Sequence, residues 1–176
     1  MPMNSQRTET PPRNPVEPTG FFTGVQIRPI ILGVIVDYIA TYAAMYAYFF
    51  VYLPNELSKQ GKEASYETIV QYMTSDEGLM IGFLIGVLGT AIGGFVAARK
   101  AGSLETKHGA FVGVASLIVS FIEHSLSEET LPLPEWFRFL SIVAIIPAGA
   151  LGGYVAEMVK GFSAGNRMFP GGSPGP

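Results

Sequence analysis

Cysteine is absent from this 176-residue chain, and charge is scarce, with Asp, Glu, Lys and Arg together making up 14% of it. The first absence excludes disulfides, thiolate catalysis and Cys-ligated metal clusters. The second is a deficit against the roughly one quarter usual in soluble domains, and it points to lipid as the surrounding medium. The 11 basic and 14 acidic residues leave a net charge of −3, so no basic face invites nucleic acid. Catalytic signatures are missing as well: there is no nucleophile motif, phosphate loop, HExxH or dinucleotide fingerprint. The stretch GTAIGG (89–94) lies inside an apolar run with no strand before it, so its glycines are not a nucleotide loop. The chain is not read as an enzyme, and neither a metal nor a cofactor is expected.

Apolar sequence is abundant: 48% of the residues are hydrophobic and the mean hydropathy is +0.34. The excess is concentrated in four segments, 29–53, 79–98, 109–126 and 136–159. Crossing a hydrocarbon core takes about 20 helical residues, in a range of roughly 17–25, and each segment meets that length. The expectation is an all-α polytopic membrane protein, with one four-helix domain over 20–160. The polar stretch 1–19 and the Gly/Pro-rich stretch 161–176 read as disordered tails. The first of these lacks the apolar core of a signal peptide, so the first helix would serve as its own targeting signal.

Local signals set the expected ends. Pro29 suits a first helical turn, and Pro54 is expected to end the first helix. Between the first two spans, Tyr66, Ile69, Val70 and Met73 fall at helical spacing, which predicts a short helix on the membrane surface. Thr74 followed by Glu77 has the form of a capping box for the second span. Pro147 is expected to kink the fourth.

The second span carries a distinctive pattern of small residues. Gly78, Gly82, Gly86, Thr90, Gly94, Ala98 and Gly102 recur every fourth residue, beside a second row of Gly89, Gly93, Ala97 and Ala101. Residues four apart share one side of a helix, so the rows form a shallow groove. In water each interior glycine would weaken a helix by about 1 kcal/mol relative to Ala. In a bilayer, small residues let a second backbone approach closely, so Gly78, Gly82, Gly86, Gly89, Gly93 and Gly94 are read as helix-packing residues.

The fourth span repeats the pattern. GTAIGGFVAARKAG (89–102) aligns with AGALGGYVAEMVKG (148–161) at an offset of 59 residues, bringing Gly93-Gly94 over Gly152-Gly153. Gly33-Val34 and Gly113-Val114 match more weakly in the first and third spans. The repeat predicts two parallel hairpins related by an axis along the membrane normal, their glycine faces meeting near it. The run GGFVAARKAGSLETKHGAFVGVASLIVSF, together with Gly33-Val34, resembles a family of small four-helix bacterial membrane proteins of unknown function. In that family a Gly-Gly helix ends in a basic turn and passes to a His-Gly-Ala helix start. The resemblance implies a four-span inner-membrane protein and carries no active site.

Lys and Arg set the expected orientation. Both termini and the 99–107 turn hold Arg7, Arg13, Arg28, Arg99, Lys100, Lys107, Lys160 and Arg167, whereas Lys59, Lys62 and Arg138 lie opposite. The bias places both termini and the middle turn in the cytoplasm.

Few residues offer chemistry. Asp37 lies nine residues beyond Arg28, about 13 Å along a helix and hence well inside the hydrocarbon. An acid at that depth is costly unless partnered, which makes it either a coupling group for a proton or cation or a structural acid held by Thr41, a tyrosine hydroxyl or a backbone carbonyl. Glu157 occupies the repeat position of Ala98, and an interhelical pair with Arg99 would tie the two halves together. Glu123, His124 and Glu128 cluster at the end of the third span, where they read as a solvated helix terminus rather than a metal site. The tyrosines of the first span, Tyr38, Tyr42, Tyr46, Tyr48 and Tyr52, read as packing and interface anchors.

Two function classes follow. One is a structural, assembly or accessory-subunit protein, packed through its glycine faces as a homo-oligomer or within a larger membrane complex. The alternative is a small proton- or ion-coupled transporter or channel using Asp37.

Overall fold

The computed structural model describes residue 20, residues 22–126 and residues 133–168, with side chains as far as 162. The expected tail 1–19, Phe21, Glu128 and the end of the chain past 168 lie outside the described residues. Every described element is helical: α1 (Ile27–Tyr46), a π-helical turn (Ala47–Tyr52), α2 (Leu53–Lys59), α3 (Tyr66–Met73), α4 (Asp76–Ala101), α5 (Glu105–Leu126) and α6 (Glu135–Met168). Four helices are long and apolar enough to cross a membrane: Ile27–Lys59, Asp76–Ala101, Glu105–Leu126 and Glu135–Phe162. Large apolar side chains such as Ile39, Leu84, Leu88 and Ile118 point outward, more than half exposed. Such faces suit hydrocarbon rather than water.

Several ends differ from expectation. The first helix does not stop at Pro54. It passes through the π turn, where the Leu53 N–H donates to the Tyr48 carbonyl, five residues back. Proline has no N–H to give and crowds the carbonyl four residues before it, and the wider π turn accommodates both defects, so α2 carries the helix on to Lys59. The Thr74–Glu77 capping box is not formed either. Ser75 is the N-cap of α4 and accepts from the Gly78 N–H at 3.2 Å, while the Thr74 hydroxyl turns back to the carbonyls of Val70 and Gln71. The fourth span continues past 159 as helix to Met168, so the stretch expected to be a disordered tail from 161 begins as helix.

The short helix of the 55–77 segment is α3, capped by Ser65. Its buried Ile69 packs on Phe49 and Leu53, so the segment folds back on the first helix through an apolar cluster. The Tyr48 and Tyr72 hydroxyls meet at 3.4 Å above that cluster. Burial and the Tyr48 hydroxyl hold the Tyr72 phenol well above its ordinary value.

The long helices pack with α4 against α1, α5 and α6, and with α6 also against α5. Small residues govern the crossings. A side chain at Gly33 would run into Ala97, Val112 and the Gly93 carbonyl, and one at Gly93 would run into the Gly33 carbonyl and Asp37. Gly94 faces the Gly149 backbone, and Gly152 faces the Ala91 carbonyl. Gly109 and Gly153 of the α5–α6 pair face the Gly149 carbonyl and the Glu105 carbonyl in turn. Backbones touch here because nothing stands between them. The aligned repeat positions meet different neighbours: Gly93 faces α1 and Gly94 faces α6, whereas Gly152 faces α4 and Gly153 faces α5.

Polar ties from His108 and Lys160 reinforce the end of the bundle that carries the α4–α5 turn. His108, fully buried, accepts from the Gln26 N–H at Nε2 (2.9 Å) and lies 3.0 Å from the Leu104 carbonyl at Nδ1. A carbonyl can only accept, so Nδ1 carries the proton and the ring is the neutral tautomer. Lys160 bonds Glu105 at 2.5 Å and the Gly102 carbonyl at 2.6 Å. Gly102 caps α4 in the left-handed region, with φ +68°, which a glycine adopts without strain.

Candidate functional site

Toward the opposite end the helices separate. α4 and α6 meet backbone to backbone around 91–95 and 149–152, and beyond that crossing the helices enclose a cavity of about 640 Å³. All four long helices line it, through 37–50 of the first, 82–90 of α4, 116–120 and Glu123 of α5, and 137–145 of α6. Its size falls in the range of sites for drug-sized molecules, roughly 300–1,000 Å³.

Asp37 forms the polar floor. It is 4% exposed and receives hydroxyls from three helices. Ser116 of α5 donates to Oδ2 at 2.6 Å, Thr90 of α4 lies 3.1 Å from Oδ2 and 3.2 Å from Oδ1, and Thr41 of α1 itself donates to Oδ1 at 3.3 Å. Thr90 and Ser116 are buried as well. This convergence accommodates both protonation states. With the carboxylate ionised, all three hydroxyls donate to it. With a proton on Oδ2, that proton is given to the Thr90 oxygen, and the Thr90 hydroxyl turns to the Gly86 carbonyl, 3.1 Å away. Only one hydroxyl has to rotate between the two states.

A second acid stands higher on the wall. Glu123 accepts from Tyr38 at 3.2 Å and from Tyr42 at 3.4 Å, and Ser120 lies 3.4 Å from the Tyr38 hydroxyl. Tyr42 and Tyr46 form the rim and are both more than half exposed, Tyr46 stacking on Phe50. The hydroxyls of Ser116 and Ser120, one helical turn apart on α5, lie between the two acids along the lining.

The glycine rows divide between the two ends. Gly89, Gly93, Gly94, Gly152 and Gly153 sit at close crossings, Gly89 making room for the Thr41 hydroxyl. Gly82 and Gly86 do not pack against a helix. The nearest atom to a side chain at Gly82 would be the Met45 methyl at 3.8 Å, and at Gly86 there is nothing within 4 Å. Both line the cavity, so these glycines make space instead of closing it. Gly78 serves the turn into α4, where a side chain would strike the Tyr72 carbonyl. The Arg99–Glu157 pair is not formed: Glu157 accepts from Thr106 at 2.9 Å, and Arg99 lies over the Phe95 ring at 5.7 Å. The tie across this end is Lys160–Glu105, because Lys160 is the cation whose reach from α6 ends at the start of α5. Among the described residues no group of three or more metal-ligating side chains comes together.

Of the three partners the sequence offered Asp37, Thr41 is among those that bond it, and among the described residues neither a tyrosine hydroxyl nor a backbone carbonyl is. Thr90, Ser116 and Glu123 as partners of one cavity were not legible in the sequence. The available signal was Thr90 interrupting a row of glycines and the Ser116–Ser120 spacing on α5, each a lone hydroxyl facing the direction in which a helix packs. Comparison with protein families, with curated proteins and with solved structures finds no match for this chain.

Proposed function

We propose that this is an integral membrane protein that admits a membrane-soluble small molecule to the cavity and links its occupancy to a proton on Asp37, as a small coupled carrier does. The observation that carries the reading is the meeting of three hydroxyls from three helices on one buried carboxylate at the floor of a 640 Å³ space. A polar group so deep in hydrocarbon is retained against its cost, and a single hydroxyl rotation lets it take or release a proton. With the termini on the cytoplasmic side, as the Lys and Arg bias directs, the cavity occupies the outer half of the bilayer.

The assembly or accessory-subunit reading rests on glycine faces offered to a partner. Those of Gly93, Gly94, Gly152 and Gly153 are already filled by neighbouring helices of the same chain, which moves the weight to the cavity. Native mass spectrometry of the full chain released from its own membranes separates the two. The carrier reading expects an adduct of a few hundred daltons on wild type that is lost in Gly86→Phe, which fills the cavity, with the fold retained. A bare chain held tightly by other subunits, unaffected by Gly86→Phe, favours the accessory role and overturns the carrier.

A further inference from the structure

We infer that the molecule this cavity selects is an apolar organic cation; the inference rests on the carrier reading and names its substrate class. Among the described residues the lining contains two carboxylates, Asp37 and Glu123, and no lysine, arginine or histidine. An anion entering it would meet like charge with no counter-charge to receive it, which is how a site rejects a competitor. A neutral molecule would bring no positive charge to balance the two acids, leaving the floor carboxylate with its hydroxyl donors alone in a largely apolar space.

The rest of the wall defines the body of the ligand. Aromatic rings from three helices face the space, Tyr38, Tyr42, Tyr46 and Phe50 from the first, Phe83 from α4 and Phe137 from α6. Ring faces carry partial negative charge and attract delocalised cations at close range. Met45 and Met73 add flexible apolar surface that adapts to irregular shapes. A bare metal ion does not fit this arrangement. Hard cations need six or more oxygen ligands at about 2.0–2.6 Å, and the floor offers one carboxylate and three hydroxyls already bonded to it. An organic cation with a hydrocarbon body uses both features at once: its charge sits toward the acids, and its body fills the apolar volume. Tyr42 and Tyr46 at the rim give it an aromatic entrance from the membrane.

Equilibrium binding of tetraphenylphosphonium to the full chain in nanodiscs, measured against empty nanodiscs, tests the inference, with tetraphenylborate and triphenylphosphine oxide as the anionic and neutral probes. Saturable binding of the cation, one per chain and at least ten-fold tighter than either control, is the expected result. Asp37→Asn is expected to weaken it ten-fold or more and Glu123→Gln a few-fold. Glu123→Gln, away from the buried floor, keeps the test decisive if Asp37→Asn does not assemble. Binding of the neutral probe as tight as that of the cation, or cation binding indifferent to both substitutions, overturns the cationic class and leaves the carrier reading standing. Absence of saturable binding for all three probes, with no adduct from native membranes, removes both.

Discussion

The two ends of this helix bundle are built from the same residue type to opposite effect. At the end that carries the 102–104 turn, Gly33, Gly93, Gly94, Gly109, Gly152 and Gly153 bring backbones into contact. At the other end, Gly82 and Gly86 of the same row in α4 line a cavity, Gly86 with nothing within 4 Å and Gly82 with only the flexible Met45 side chain nearby. A glycine row is therefore not in itself a packing face. What it does depends on whether a second helix lies along it or has already crossed and turned away. α6 crosses α4 near Gly94 and Gly149, and beyond that crossing no atom comes within 4 Å of a side chain at Gly86.

The polar groups follow the same division. In the closed end they are ties: His108 holds the entry to α1 on α5, and Lys160 holds α6 on the α4–α5 turn. In the open end they converge on a space, with Asp37 at its floor and Glu123 on its wall. Closed and open ends suit a body in which one part stays fixed while the other admits a ligand, and substitutions can separate them.

The largest contrast is expected from Gly152→Val. Its side chain would drive into the Ala91 carbonyl and the Phe95 N–H, where no flexible side chain can yield. Overpacking of this kind typically costs about 1–3 kcal/mol and at a backbone crossing the upper end applies. Thermal unfolding in detergent should show a large drop in midpoint or a failure to assemble. A wild-type midpoint would mean that α4 and α6 do not cross here.

A smaller loss is expected from His108→Leu, which leaves the part-buried Gln26 N–H without its acceptor beside a fully buried ring site. An unsatisfied buried group costs about 1–3 kcal/mol, partly offset here because Gln26 lies near the end of the helix and can relax. The variant should lose stability while retaining whatever binding the cavity shows. Loss of binding with stability intact would break the division between the ends.

Gly86→Ala should have the least effect, and in the opposite direction. Nothing stands within 4 Å of the added methyl, so the helix gains up to about 1 kcal/mol of propensity without a clash. A modest rise in midpoint, measured beside Gly152→Val, would give the two members of one sequence pattern opposite signs. A fall comparable to that of Gly152→Val would show that a helix packs on Gly86 after all.

Helix ends show where local rules were overridden. Pro54 is a strong stop signal, yet a π turn upstream let the first helix run on, and Phe49 within that turn and Leu53 just after it are the residues that hold Ile69 of α3. Packing of the short helix against the long one thus accompanies the departure from the local rule. Thr74 and Ser75 are both competent caps, and the choice fell to Ser75 because Thr74 closes α3 with its own carbonyl bonds. Neither outcome was contained in a short window of sequence.

Composition and spacing by themselves determined that the elements of the described residues are helical, with four segments apolar and long enough to span a membrane, and that an acid lies within the first of them. These follow from the need of backbone amides to bond locally where no water is present, a constraint that acts on each segment alone. Tertiary structure decided which glycines close on a neighbour and which open a space, which cation meets which acid, and that Thr41, Thr90 and Ser116 from three helices share one carboxylate. Those outcomes depend on where helices cross and in which direction they then diverge, and a crossing is a property of two surfaces at once, so it is absent from either sequence read singly.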